Sequence, residues 1–122
     1  MDLPELNLTT IQAILDGDLD DETVNHLALQ SLGFEYEPIQ GKWQSEHADP
    51  AWKSDHIPHF IANRPDGVKL TRSIPPEDKQ LLKAQLGFSG YKVHELTPQK
   101  TRRATVANWL LGVLKRQQAG SI

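Results

Sequence analysis

The stretch LTPQKTRRATVANWLLGVLKR, Leu96–Arg116, carries the clearest helical pattern in the chain. Val106, Trp109, Leu110, Val113 and Leu114 recur at i, i+3, i+4, i+7 and i+8 and make one apolar stripe. Thr97 stands where an N-cap belongs. Pro98 occupies the first helical position, where a missing N–H costs little. The pattern predicts a helix over 98–117. Its first turns hold Lys100, Arg102 and Arg103, although a helix start is partially positive and disfavours each cation by ~0.3–1 kcal/mol. Burial of the stripe contributes ~1.5–3 kcal/mol per side chain, so the helix forms regardless. The cations still need an anion from somewhere else.

Working outward, Ile11, Ile14 and Leu15 form a short apolar face opened by Thr9 or Thr10 and stopped by Gly17, a helix at 9–16. The acids of DLDD open a second helix at 21–32, with Val24, Leu27, Ala28 and Leu32 at helical spacing and Gly33 as its stop. FEYEPIQGKWQ alternates around Gly41 and predicts a hairpin within 35–44. Residues 44–67, punctuated by Pro50, Pro58 and Pro65, read as an irregular segment tacked down by Trp52, Ile57, Phe60 and Ile61. VKLTR (68–72) alternates like a strand, SIPPEDKQLLKAQLG predicts a helix at 75–86, and YKVHEL predicts a strand at 91–95. LALQSLGF (27–34) and LLKAQLGF (81–88) echo one another, each ending a helix at glycine before an aromatic residue. The expected fold is α+β and mostly helical: a single domain of four helices with a small antiparallel sheet from the 35–44, 68–72 and 91–95 regions.

The composition narrows the function. At 122 residues the chain suits one domain, and without cysteine it has no disulfide, thiolate metal site or cysteine nucleophile. MDLPELNL holds two acids and no cation, unlike a signal or transit peptide, and no apolar run approaches the ~20 residues of a membrane span. A cytoplasmic protein without membrane insertion is expected. The net charge of −3 conceals an asymmetry: residues 1–50 hold eleven acids and one lysine, giving −10, while residues 51–122 hold five acids and twelve cations, giving +7. Such halves either face each other, within one domain or across a homodimer, or leave the basic half for an outside polyanion.

VKLTRSIPPEDKQLLKAQLGF, ELTPQKTRRATVANWLL and DDETVNHLALQSLGF together resemble a small uncharacterised family of cyanobacteria and plastids, a domain of unknown function. The resemblance spans nearly the whole chain. It implies a stand-alone domain of bacterial cytosolic type and brings no assigned activity or catalytic residue with it.

Three constellations carry candidate chemistry. Lys100, Arg102 and Arg103, joined by Arg72 and Lys92 from neighbouring segments, make a candidate anion or partner site beside the free N–H groups of a helix start. The anion is either internal, from the acids of DGDLDDE or Glu95, or external, on an acidic protein surface or a phosphate-bearing ligand, nucleic acid included. A helix-turn-helix reading of TVANWLL fits poorly: no glycine marks the turn, and the overall balance is acidic. SEHADPAWKSDHIPHF supplies His47, His56 and His59 as metal candidates, with Glu46, Asp49 and Asp55 nearby. Pro58 breaks any helix that would align His56 with His59, so the segment reads as a polar loop. No serine sits in a nucleophile elbow and no glycine-rich phosphate loop is present, so no catalytic residue and no cofactor are expected. The reading is a small non-enzymatic binding or adaptor protein. The alternatives are nucleic-acid binding through the basic half and a metal-dependent hydrolase at the His56/His59 loop.

Overall fold

The helix expected at 98–117 runs from Pro98 to Ala119 and is the axis of the molecule (α5). The computed structural model describes residues 2–54 and 56–119. Thr97 caps α5 as expected, its hydroxyl accepting the Lys100 N–H at 3.1 Å. The apolar stripe faces the core, with Val113 only half-buried. Ala107 and Leu111, off that stripe, are buried too. The reason lies in the neighbours: α1 (Leu8–Asp16), α2 (Asp21–Ser31), α3 (Arg64–Ser73) and α4 (Leu81–Leu86) all pack against α5. A helix surrounded this way buries more than one face.

The first two helices lie where the periodicity puts them. Asn7, one turn ahead of the expected threonines, caps α1 by accepting the Thr10 N–H at 2.9 Å. Asp20 caps α2 by accepting the Thr23 N–H at 2.8 Å. β1 (Glu35–Glu37) and β2 (Lys42–Gln44) form the expected antiparallel hairpin, pairing Tyr36 with Trp43 and Glu37 with Lys42. The two echoed segments close alike: after Gly33 and Gly87, both at positive φ, the N–H groups of Phe34 and Phe88 return to the carbonyls of Leu29 and Leu82. That closure is a general helix-stop geometry.

Four expectations are corrected. VKLTR (68–72) is not a strand but the body of α3. Asn63 caps that helix by accepting the Asp66 N–H at 3.1 Å, with Pro65 in its first turn, and these start signals outweigh five alternating residues. Asp66, Gly67 and Leu70 form the buried side. Gly67 is needed there, since a Cβ would stand 2.7 Å from the Phe60 carbonyl oxygen. The helix expected at 75–86 is interrupted: a 3-10 turn, Pro76–Asp78, precedes α4, and the two are separated by Gln80 at φ −110°. Residues 91–95 form no strand; Val93–Glu95 is a 3-10 turn, and the two-stranded sheet is the hairpin alone among the described residues. In the irregular segment, Trp52, Phe60 and Ile61 are buried as expected, whereas Ile57 is 37% exposed. Asn25 of α2 secures that segment, donating to the Pro58 carbonyl at 3.1 Å and accepting the Phe60 N–H at 2.8 Å. The fold is α+β and mostly helical, with five α-helices among the described residues and the small antiparallel hairpin.

Candidate functional site

The cations at the start of α5 have different fates. Arg103 points inward with 8% of its side chain exposed. It donates to Asp21 Oδ1 at 2.7 Å and, through its other nitrogen, to the carbonyls of Ile14 and Leu19. The acid that answers it therefore lies within DGDLDDE, and the end of α1 and the turn that follows it supply the remaining acceptors. Arg102 is half-buried, donating to the Ile61 carbonyl at 2.9 Å while its stem lies against Gly67. Lys100 sits 5.5 Å from the centre of the Tyr91 ring. Arg72 and Lys92 are exposed and form no ion pair among the described residues. The structure thus ties Arg102 and Arg103 into the fold and leaves Arg72 and Lys92 on the surface.

The three histidines go to three different carboxylates. His47 pairs with Glu35, whose hydrogen bond and charge raise the imidazole pKa. His56 approaches the buried Asp66 at 3.3 Å, with Ser54 against its other nitrogen. His59 Nδ1 accepts the Ala62 N–H at 2.9 Å, so its proton is on Nε2, which donates to Glu22 at 2.8 Å. Both nitrogens of His59 are therefore occupied, and a metal would have to displace one of these bonds. No group of three metal-capable side chains converges among the described residues. Asp55 lies outside the described residues.

A second carboxylate buried against cations escaped the sequence reading. Asp78, only 2% exposed, accepts from Lys115 at 2.7 Å and Arg116 at 2.9 Å, and its backbone carbonyl accepts from Asn108 at 3.0 Å. Gly112 makes room for it, since a Cβ there would lie 3.0 Å from Asp78 Oδ2. This contact draws the Pro76–Asp78 turn onto α5 and accounts for the break before α4. The hydrogen bond from Lys115, helped by Arg116, holds the Asp78 carboxyl below the usual carboxylate range despite its burial. A carboxylate depressed in the folded state contributes stability above its unfolded pKa of about 3.9 and loses it as pH falls through the folded value. Asp78→Asn should therefore be less stable than wild type at pH 7, and the gap should narrow steadily below about pH 4 in denaturant melts. A gap independent of pH would remove the carboxylate from the account.

Two cavities adjoin the segment between α4 and α5. The larger, about 830 Å³, is acid-rich, with Asp16, Asp20, Asp21, Glu22 and Glu95 on its wall. Four of these serve the fold. Asp20 caps α2, Asp21 holds Arg103 and Gln99, Glu22 takes His59, and Asp16 takes the Gln12 amide. The other, about 600 Å³, is a groove of opposite character. Its floor is a stripe of α5 (Thr101, Ala104, Thr105, Asn108), and the end of α3 contributes Thr71 and Ile74. One wall carries Lys79, Leu82 and Lys83; the other carries Phe88, Tyr91 and Leu96. No Asp or Glu among the described residues lines it.

Four polar side chains of the groove bond within the fold. Asn108 accepts the Leu82 N–H at 3.2 Å in addition to holding Asp78, and Tyr91 donates to the Leu15 carbonyl at 3.0 Å. The hydroxyls of Thr71 and Thr105 donate back to their own helices. Apolar surface is concentrated on one side: Phe88 meets Tyr91 edge-to-face, and on the same segment Leu96 is 54% exposed, with Val93 beyond the lining 90% exposed. Lys79 and Lys83 are exposed and form no ion pair among the described residues. Sequence reasoning did not single out either lysine. The available signal was two cations four residues apart, facing a segment with unspent apolar side chains.

Helices gathered on α5, a short hairpin and a cation-rimmed apolar groove define a small helical α+β domain. The chain belongs to the family described as domain of unknown function DUF1823, whose profile matches residues 5–115. A relative solved by solution NMR shares 46% sequence identity and superposes with a TM-score of 0.80, the match covering 97% of this chain and 99% of that one. A search of curated proteins gave no match. No helix among the described residues is long and apolar enough to cross a membrane.

Proposed function

We propose that this protein is a non-enzymatic binding module whose groove between α4 and α5 takes an acidic, apolar-anchored segment of a partner protein. The observation that carries this reading is the charge of the groove: a partly apolar trough with exposed lysines on one wall and, among the described residues, no carboxylate in its lining. Apolar contact supplies affinity in such a groove, and unpaired cations at its edge select a negative partner. Arg72, Lys92 and Lys100 are not part of its lining: Lys100 belongs to the acid-rich cavity, and Arg72 lies with Arg64, Val68 and Lys69 on α3. In this reading Lys79 and Lys83 carry the basic surface, in place of Arg102 and Arg103, which bond within the fold.

The charge asymmetry between the halves supports an outside partner. Among Lys and Arg, the ion pair joining the halves in the described residues is Arg103 with Asp21; the others pair Lys115 and Arg116 with Asp78 within the basic half. The two ends of the charge distribution therefore remain largely uncompensated within the chain.

The test is a titration of the full chain with a synthetic peptide carrying Leu and Phe anchors among Asp and Glu, followed by amide chemical shifts. Shifts should centre on Leu82, Tyr91, Thr101 and Thr105. Lys79→Glu with Lys83→Glu should weaken binding by about tenfold or more, with folding stability unchanged within ~0.5 kcal/mol, as for exposed positions. Unchanged affinity in the double variant would overturn the reading. So would a preference for an oligonucleotide over the peptide, with affinity falling steeply in salt.

A further inference from the structure

Resting on that reading, we infer that the partner segment enters the groove as an amphipathic helix lying against α5. The floor residues Thr101, Ala104, Thr105 and Asn108 recur at i, i+3, i+4 and i+7 on one helix. They define a straight trough two turns long, about 10 Å at 1.5 Å per residue. Around the rest of its girth α5 is covered by α1, α2, α3 and α4, so the groove is the sector where another helix would complete the packing.

The walls exclude the main alternative. That alternative, β-strand addition, needs a sheet edge with a run of unpaired main-chain groups. The floor belongs to α5 and one wall to α4, and neither helix presents the alternating row of main-chain groups of a strand; the free Leu82 N–H of α4 is already taken by Asn108. The other wall cannot serve as an edge either, because Gly90 sits at φ +114° and Val93–Glu95 is a 3-10 turn. The groove therefore reads side chains rather than backbone. Side-chain readout suits a helix presenting apolar residues at i, i+3 or i+4, and i+7. Lys79 and Lys83 then face acids on one flank of that helix, and Leu96 with Tyr91 covers its apolar face from the other side.

The experiment compares two peptides of identical composition on the full chain. In one, Leu, Asp and Glu follow a helical period together with one Lys placed four residues from a Glu; in the other, the same residues alternate with a period of two. The helical peptide should shift the amides of Leu82, Leu96, Thr101, Ala104 and Thr105 and bind at least about tenfold more tightly than the alternating one. Equal affinity of both peptides at the groove would overturn the helical mode and leave the binding module standing. Absence of groove shifts with both at about millimolar peptide, or shifts confined to the acid-rich cavity, would overturn both. Loss of helical-peptide binding in Lys79→Glu/Lys83→Glu, with retention in Arg64→Glu on the outer face of α3, supports the assignment of the acidic flank. The reverse pattern overturns it.

Discussion

Arg103→Met lowers folding stability by about 2–4 kcal/mol, mainly because two carbonyls are left without a donor, each costing ~1–3 kcal/mol, while Asp21 keeps 31% of its side chain in solvent. The methionine keeps most of the apolar stem, so the loss comes from the groups left behind. Asp21 loses its cation, and the carbonyls of Ile14 and Leu19 lose a donor in a place reached by little water. Arg103→Lys should recover only part of the loss, because one ammonium cannot match a planar fork that reaches three acceptors in two directions. Urea denaturation at pH 7 with tryptophan fluorescence measures this directly. A loss below about 1 kcal/mol for Arg103→Met would mean that the guanidinium is dispensable, and the anion question at the start of α5 would reopen. A double variant, Arg103→Met with Asp21→Asn, should be less destabilised than the sum of the single changes, since the two share one interaction.

Asn25→Ala is the second large effect, at about 2–4 kcal/mol. Asn25 is 3% exposed and uses both ends of its amide, one on the Pro58 carbonyl and one on the Phe60 N–H. Alanine leaves a buried acceptor and a buried donor unmet, each costing ~1–3 kcal/mol. The change should also be felt locally. Amide exchange at Phe60 and the burial of Trp52, which meets Phe60 edge-to-face at 5.1 Å, should respond more than α1 does. Uniform destabilisation without faster exchange at Phe60 would show that the segment is held by its apolar contacts alone.

How far the sequence disclosed this molecule depends on how local each determinant is. α1 and α2 were legible because periodicity and a glycine stop lie within a few residues of one another, and α5 because Thr97, Pro98 and a long apolar stripe follow in close order. α3 was misread because VKLTR satisfies a period of two over five residues, while Asn63, Pro65 and Asp66, which decide the matter, sit just ahead of it in a stretch that reads as a turn. The tyrosine–valine alternation at 91–95 failed for a different reason: among the described residues no strand pairs with it, and alternation without a partner does not make a sheet. The cations of α5 posed the right question, and the acids of DGDLDDE were among the answers open from the start. The Ile14 and Leu19 carbonyls were invisible because their position depends on how α1 ends against α5. The groove was the least legible feature. It arises where threonine and alanine on α5 leave space between elements distant in sequence, and no linear spacing encodes that space.

The central place of α5 has a consequence for how the chain is made. Translation delivers α1 through α4 before the helix on which all of them pack, so the N-terminal helices emerge with their apolar faces uncovered. Arg103, which fastens the turn between α1 and α2, leaves the ribosome more than eighty residues after the Asp21 it holds. Closure across such a separation is slow relative to local helix formation. The nascent chain therefore passes through a stage of exposed leucine and isoleucine surface that ends only when α5 is free to dock, and that interval is when aggregation or chaperone capture competes with folding.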